Sequence, residues 1–304
     1  MSDSPTIETH RLRKEYGDKV AVADLTLTVQ RGEVFGFLGP NGAGKTTAVK
    51  MLLGLAVPTS GSAQILGRPV GDTQTRSRIG FLPEHFRFHE WLQAAEFMDL
   101  HGQLFGLTLQ QRRERIPALL ELVKLTEAAD RRLSAFSKGM LQRIGLAQAL
   151  LPEPEVVFLD EPTSGLDPLG RRLVRDVIRK LRSSGTTVFL NSHLLSEVEI
   201  TCDRVAFIKD GTIVRTATLD RLVEGLTEVI LWVGQVTPEF LDGLRRWSNE
   251  LQVDGRRITL TVQDEASLPG LAQWVVEQGV GLYALTPQQL SLEELFVQVV
   301  GGEQ

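Results

Sequence analysis

Cysteine is almost absent. Cys202 stands alone in 304 residues, so no intrachain disulfide can form and a reducing compartment suits the chain. Long apolar runs are missing as well. No stretch approaches the ~20 consecutive apolar residues that cross a bilayer, so no membrane span is expected. Met1 to Pro5 are polar and lack the apolar core of a secretion signal. Nor is there a surplus of positive charge: 33 Lys and Arg against 38 Asp and Glu leave a net −5. Broad electrostatic capture of nucleic acid is therefore not expected, and any phosphate must be held by local geometry. What remains is an ordinary globular composition, over a length that suggests two domains, or one large one with an appendix.

Against these absences one stretch stands out. Gly39, Pro40, Asn41, Gly42, Ala43, Gly44, Lys45 and Thr46 fit G-x-x-x-x-G-K-[ST], a phosphate-binding loop, with Thr47 following. Val34 to Leu38 before it reads as a buried strand, and Thr47 to Gly54 after it as a helix. Glycines 39, 42 and 44 allow backbone angles closed to other residues, so successive N–H groups can face one anion. The helix N-terminus adds about half a positive charge. In this reading Lys45 lies between the β- and γ-phosphates and the Thr46 hydroxyl is a Mg²⁺ ligand. Tyr16, just before the turn at Gly17-Asp18, either stacks on adenine or is an ordinary half-buried aromatic.

The rest of the chain alternates strand and helix, which predicts an α/β fold with a largely parallel sheet. Residues 6–13 and 20–29 read as strands. A mostly helical insert spans about 86–151, with helices expected over Trp91 to Leu104, Gln110 to Leu125 and Gly139 to Leu150. Strands return at Glu155 to Leu159 and Thr186 to Leu190, and a hairpin at Arg204 to Thr216. After a linker or short helix at Leu219 to Gly225, residues 226–304 carry the order β-α-β-β-α-β, the ferredoxin-like one. Ser291 and Glu294 are spaced to cap the last helix.

Val156 to Leu159 is a buried strand that ends in Asp160 and Glu161. Beside the phosphate loop, Asp160 can hold Mg²⁺ and Glu161 can polarise a water for attack on a γ-phosphate. Ser164-Gly-Leu-Asp167 follows. His193 ends the next strand, on the same edge, where its ring can reach the γ-phosphate.

With Leu133-Ser-Ala-Phe-Ser137-Lys-Gly139-Met-Leu-Gln-Arg143, these motifs stand in the order found in ATP-binding cassettes. Residues 6–220 resemble the ATP-binding subunit of an ABC transporter. The resemblance implies a P-loop NTPase cassette over 1–225: a RecA-like core, an antiparallel β subdomain and the helical subdomain at 86–151, with a small accessory α+β domain at 226–304. It implies an ATPase using ATP and Mg²⁺, in which two cassettes sandwich two ATP molecules head to tail. Lys45, Glu161 and His193 are then the catalytic residues, and Thr46, Glu84 and Asp160 the metal ligands. Tyr16, residues 39–47 and Asp167 bind nucleotide, and Ser137 and Gly139 reach the γ-phosphate of the other copy. Read without the family, Ser137 is only a helix N-cap.

Two positions depart from the commonest pattern. Ser137-Lys-Gly-Met replaces Ser-Gly-Gly-Gln, and Glu84 stands where a Gln is usual. Both departures resemble the branch that serves separate ABC-2 type export permeases. That resemblance implies a subunit on the cytoplasmic face of the cell membrane, held there by a permease that docks near Glu84 to Trp91. Phe86-Arg-Phe-His-Glu-Trp91 is either that docking groove or core. The alternative is a soluble ABC ATPase acting on nucleic acid or ribosomes. A single cassette, no long heptad insert and a negative net charge argue against it, and no nucleic-acid partner is expected. A small-molecule kinase would not need the paired carboxylates, the signature and His193 together.

Overall fold

The computed structural model describes residues 4–219, 227–248, 251–262, 265–288 and 291–301. Two compact units divide the chain, one running to Thr216 and one over Ala217–Gln298. The linker expected at 219–225 lies, from residue 220 on, outside the described residues.

The first unit contains β1 (Ile7–Tyr16), β2 (Lys19–Val29), β3 (Val34–Leu38), α1 (Lys45–Leu52), β4 (Ser60–Ile65), β5 (Arg68–Pro69), α2 (Thr73–Arg76), β6 (Ile79–Leu82), α3 (Ala94–Leu104), α4 (Leu109–Leu122), α5 (Lys138–Leu150), β7 (Val156–Asp160), α6 (Pro168–Ser183), β8 (Thr187–Asn191), α7 (Leu195–Thr201), β9 (Arg204–Lys209) and β10 (Thr212–Thr218). Its sheet runs β5-β4-β1-β2-β10-β9-β3-β8-β7-β6. Strands β9, β3, β8, β7 and β6 are parallel neighbours. At the other end β5, β4, β1 and β2 pair antiparallel.

Burial explains the two patterns. Every residue of β3, β7 and β8 is buried, so β3 and the middles of β7 and β8 are continuously apolar rather than alternating, with polar residues only at the strand ends, Asp160, Thr187 and Asn191. Phe189 on β8 stands in register with Phe35 on β3 and Phe158 on β7, at ring-centroid distances of 5.7 and 5.2 Å. Phe37 adds a third ring at 5.4 Å. Phe189→Ala should therefore cost about 3–5 kcal/mol, read as a lower urea midpoint for this unit.

Helices α3, α4 and α5 form a second cluster around Phe97, Met98, Leu120 and Ile144. Helix α3 starts at Ala94 rather than Trp91 because the Glu96 carboxylate accepts the Gln93 N–H at 2.9 Å and caps it there. Helix α4 ends at Leu122 rather than Leu125, and Lys124 adopts a left-handed φ of 54° just beyond. The short β5 and α2 carry no periodic signal. α2 depends on the Asp72 carboxylate, which accepts the Thr75 N–H at 2.9 Å.

The second unit contains β11 (Thr227–Val233), α8 (Pro238–Leu244), β12 (Leu251–Asp254), β13 (Arg257–Val262), α9 (Leu268–Glu277), β14 (Leu282–Gln288) and α10 (Leu292–Gly301). Its sheet order is β12-β13-β11-β14, all antiparallel, which is the ferredoxin-like arrangement. Ser291 and Glu294 form the capping box: Ser291 N–H donates to Glu294 Oε2 at 2.9 Å and Glu294 N–H to Ser291 Oγ at 3.2 Å.

Candidate functional site

Strand β3 delivers the chain into the phosphate loop, and α1 carries it away. Gly44, the N-cap of α1, has φ 102°, and a methyl there would come within 2.4 Å of the Ala21 carbonyl oxygen. Only glycine fits. A methyl on Gly39 would meet the Ile208 carbonyl at 2.3 Å. Backbone bonds from Ala43 N–H to the Pro40 oxygen (3.2 Å) and from Gly211 N–H to the Ala43 oxygen (3.0 Å) hold the loop against β9–β10. The Lys45 ammonium turns back over the loop and donates to the oxygens of Gly39 at 2.6 Å and Pro40 at 3.1 Å. Partial burial lowers its pKa, while the carboxylates of Glu161, Asp160 and Glu84 pull the other way.

Glu84, Glu161 and the Lys45 ammonium thus share a cleft of about 500 Å³, with the Asp160 charge also acting on the lysine. Lys19, Ala21, Asn41, Gly42, Gly44, Lys45, Thr46, Thr47, Glu84, Glu161, Asn191 and His193 line it. Topology brings them together, because β8 lies between β3 and β7 and all three strands end on one edge. Asp160 is 6% exposed and accepts from Asn191 Nδ2 at 2.5 Å, its register partner on β8. Burial raises its pKa. Glu161, also 6% exposed, sits just past the strand with φ 52°. A residue with a side chain rarely adopts that angle, and such strain collects at working sites. Its Oε1 accepts the His193 N–H at 2.9 Å, and its Oε2 lies 2.7 Å from His193 Nδ1. Burial is the largest influence on Glu161 and raises its pKa, against the pull of His193. A carboxylate made more basic by burial, with one edge turned to a polar cleft, can take a proton from water.

Ser137, Gly139 and Asp167 are elsewhere. They line a separate cavity of about 490 Å³ that shares no residue with the first. The Ser137 hydroxyl caps α5, accepting the Met140 N–H at 3.3 Å, and Asp167 caps α6, accepting the Gly170 N–H at 2.7 Å. The two regions are joined through Gln142 on α5, whose side-chain amide donates to the Glu161 carbonyl at 3.1 Å. Tyr16 closes β1, is 51% exposed and carries the Lys14 ammonium 4.8 Å above its ring. It does not line the cleft, whereas Lys19 and Ala21 on the next strand do. In the Phe86–Trp91 segment the roles divide: Phe86 and Phe88 pack on Phe97 at 6.1 and 5.6 Å, and Trp91 stays 69% exposed.

The motifs assign no role to Lys19, Ala21, Asn191 or Gln142. Gln142 stands within the signature run from Leu133 to Arg143, and Asn191 lies two residues before His193.

Comparison with known proteins agrees with this geometry. The family described as "ABC transporter" matches residues 22–164. An uncharacterized ABC transporter ATP-binding protein of Synechocystis sp. is 47% identical over 75% of this chain and 68% of its own length. The Nod factor export ATP-binding protein I of Rhizobium sp. is 34% identical over 98% of this chain and 97% of its own. Among solved structures, a dimeric ATP-binding cassette in a post-hydrolysis state bound to ADP and Pi superposes with a TM-score of 0.65. That match has 26% identity and covers 70% of this chain and 98% of the cassette.

Proposed function

The chain belongs to the ABC transporter ATP-binding family, and from that premise we propose that it hydrolyses ATP as a head-to-tail dimer to drive a separate permease of the ABC-2 export type. One observation carries the dimer: the Lys45–Glu161 cleft and the Ser137–Gly139 cavity are distinct within one chain. A γ-phosphate in the first is completed by the second only if another copy supplies it. The dimeric cassette among the similar structures supports this reading. The relative named for Nod factor export supports the direction of transport. Among the described residues no helix is long and apolar enough to cross a membrane, so in this reading the span belongs to the permease. That partner holds the subunit at the cytoplasmic face and docks near Glu84 to Trp91, where Trp91 is exposed.

The chemistry follows from the cleft. Lys45 exchanges the loop carbonyls for phosphate oxygens and neutralises them. Glu161 accepts the proton of a water whose oxygen attacks the γ-phosphorus. The bond to the bridging oxygen breaks, leaving ADP and phosphate. His193 orients the Glu161 carboxylate and senses the γ-phosphate. Among the described residues no three His, Cys, Asp or Glu groups gather to hold a metal unaided. Thr46, Asp160 and Glu84 instead offer a sparse oxygen set that fits Mg²⁺ shared with phosphates. When bound, the ion would neutralise charge on those phosphates.

The test is capture of this chain from detergent-solubilised native membranes. A multi-span protein should co-purify. Recovery of ribosomes or DNA without a membrane protein would replace this reading with the soluble machine.

A further inference from the structure

The cavity around Ser137 holds more positive charge than a helix cap needs. Lys124, Lys138 and Arg143 line it, and the one carboxylate on its wall is Asp167, committed to the Gly170 N–H. Arg143 donates to the carbonyls of Gly139, Val123 and Lys124, which accept hydrogen bonds without cancelling its charge. Among the described residues the Lys138 ammonium has no hydrogen-bond or ion-pair partner, and the residue is exposed. Its stem is nevertheless placed. It lies across Gly165, where a methyl would come within 2.7 Å of Cδ and Cε and 3.0 Å of Nζ. Gly165 has φ 71° and belongs to the loop that follows Glu161. The bare backbone there is the track on which the lysine rests.

An uncompensated ammonium in a basic cavity calls for an anion. We infer that Lys138 binds, in trans, the terminal phosphoryl group of the ATP held by the partner copy's phosphate loop. This inference rests on the head-to-tail reading above. A triphosphate extends one phosphoryl group further than a diphosphate, so the lysine distinguishes ATP from ADP at dimer closure. Compared with the glycine usual at this position, it adds a charge to contacts otherwise made by a hydroxyl and backbone N–H groups. Its stem on Gly165 also places that charge beside the loop of its own Glu161.

The experiment uses the full chain carrying Glu161→Gln, with ATP-driven dimerisation read by size-exclusion chromatography with light scattering. Adding Lys138→Ala should raise the ATP concentration needed by at least about tenfold and flatten the dependence on salt. Lys138→Arg should restore most of both. Binding of ATP to the monomer should not change, since Lys138 does not line that cleft. Unchanged ATP and salt dependence in Lys138→Ala, with Glu161→Gln dimerising normally, overturns the role of Lys138 alone. A weakening that Lys138→Arg does not restore, with salt dependence intact, makes the stem a structural brace and overturns the phosphate contact. Failure of the Glu161→Gln chain to dimerise on ATP overturns the head-to-tail reading and this inference with it.

Discussion

Replacing Glu161 by glutamine is expected to cut ATP turnover by about a hundredfold to ten-thousandfold, the usual range for loss of a positioned base, while ATP remains bound and the dimer closed. The substitution is nearly isosteric. The amide oxygen can still accept the His193 N–H, now held at 2.9 Å. The left-handed φ of 52° strains glutamine as it strains glutamate, so stability should change little. What disappears is proton affinity. Burial raises the pKa of the native carboxylate, and a base works only when deprotonated. Turnover of the native chain should therefore fall as pH drops through a value above the ordinary carboxylate range. The residual rate of the variant should lack that limb. Phosphate release measured across pH on both chains decides the matter: a variant with native turnover removes Glu161 from the chemistry.

The phosphate loop was legible because its information is local. Glycines, a lysine and a threonine in eight consecutive residues fix the nest, and the flanking strand and helix are patterned on their own. Asp160 and Glu161 were legible because a strand buried on both faces ends in two charges. Lys19 and Ala21 were not. They reach the cleft from β2, and no spacing rule connects residue 19 to residue 45. Asn191 needed the β7–β8 register, which sets it against Asp160. Gln142 needed α5 to lie near the loop after Glu161. Tyr16 is the register partner of Lys19 across the β1–β2 turn, yet it does not line the cleft that Lys19 and Ala21 reach. The ferredoxin-like order was legible because each element had its own period and turn signal. The parallel pairing of β3 with β8 and β9 spans more than 150 residues and came only from the rule that alternating elements form parallel sheets.

Two inert variants mixed together should regain activity. Lys45→Ala removes the only lysine of the phosphate loop and should lower turnover at least about a hundredfold. Ser137→Asp is chosen for a different reason. Aspartate caps a helix as well as serine does, so the Met140 N–H keeps its acceptor and α5 keeps its start. The new carboxylate would repel the phosphate that Ser137 is proposed to meet. If both residues act on the same nucleotide within one chain, every chain in the mixture has a broken site and nothing returns. If they act across a two-fold dimer, each mixed dimer has one intact site, with Lys45 from the Ser137→Asp chain and Ser137 from the Lys45→Ala chain. Random pairing of equal amounts makes half the dimers mixed, each with one good site of two, which gives about a quarter of native turnover. Cooperation between the two sites would lower that figure without abolishing it. The Ser137→Asp chain should still bind ATP as a monomer, because its cleft is untouched, and the Lys45→Ala chain should not. Activity that stays at background after mixing, with both chains folded, would assign Ser137 to its capping role alone. Recovery would place the working site between two copies and give the second cavity its purpose.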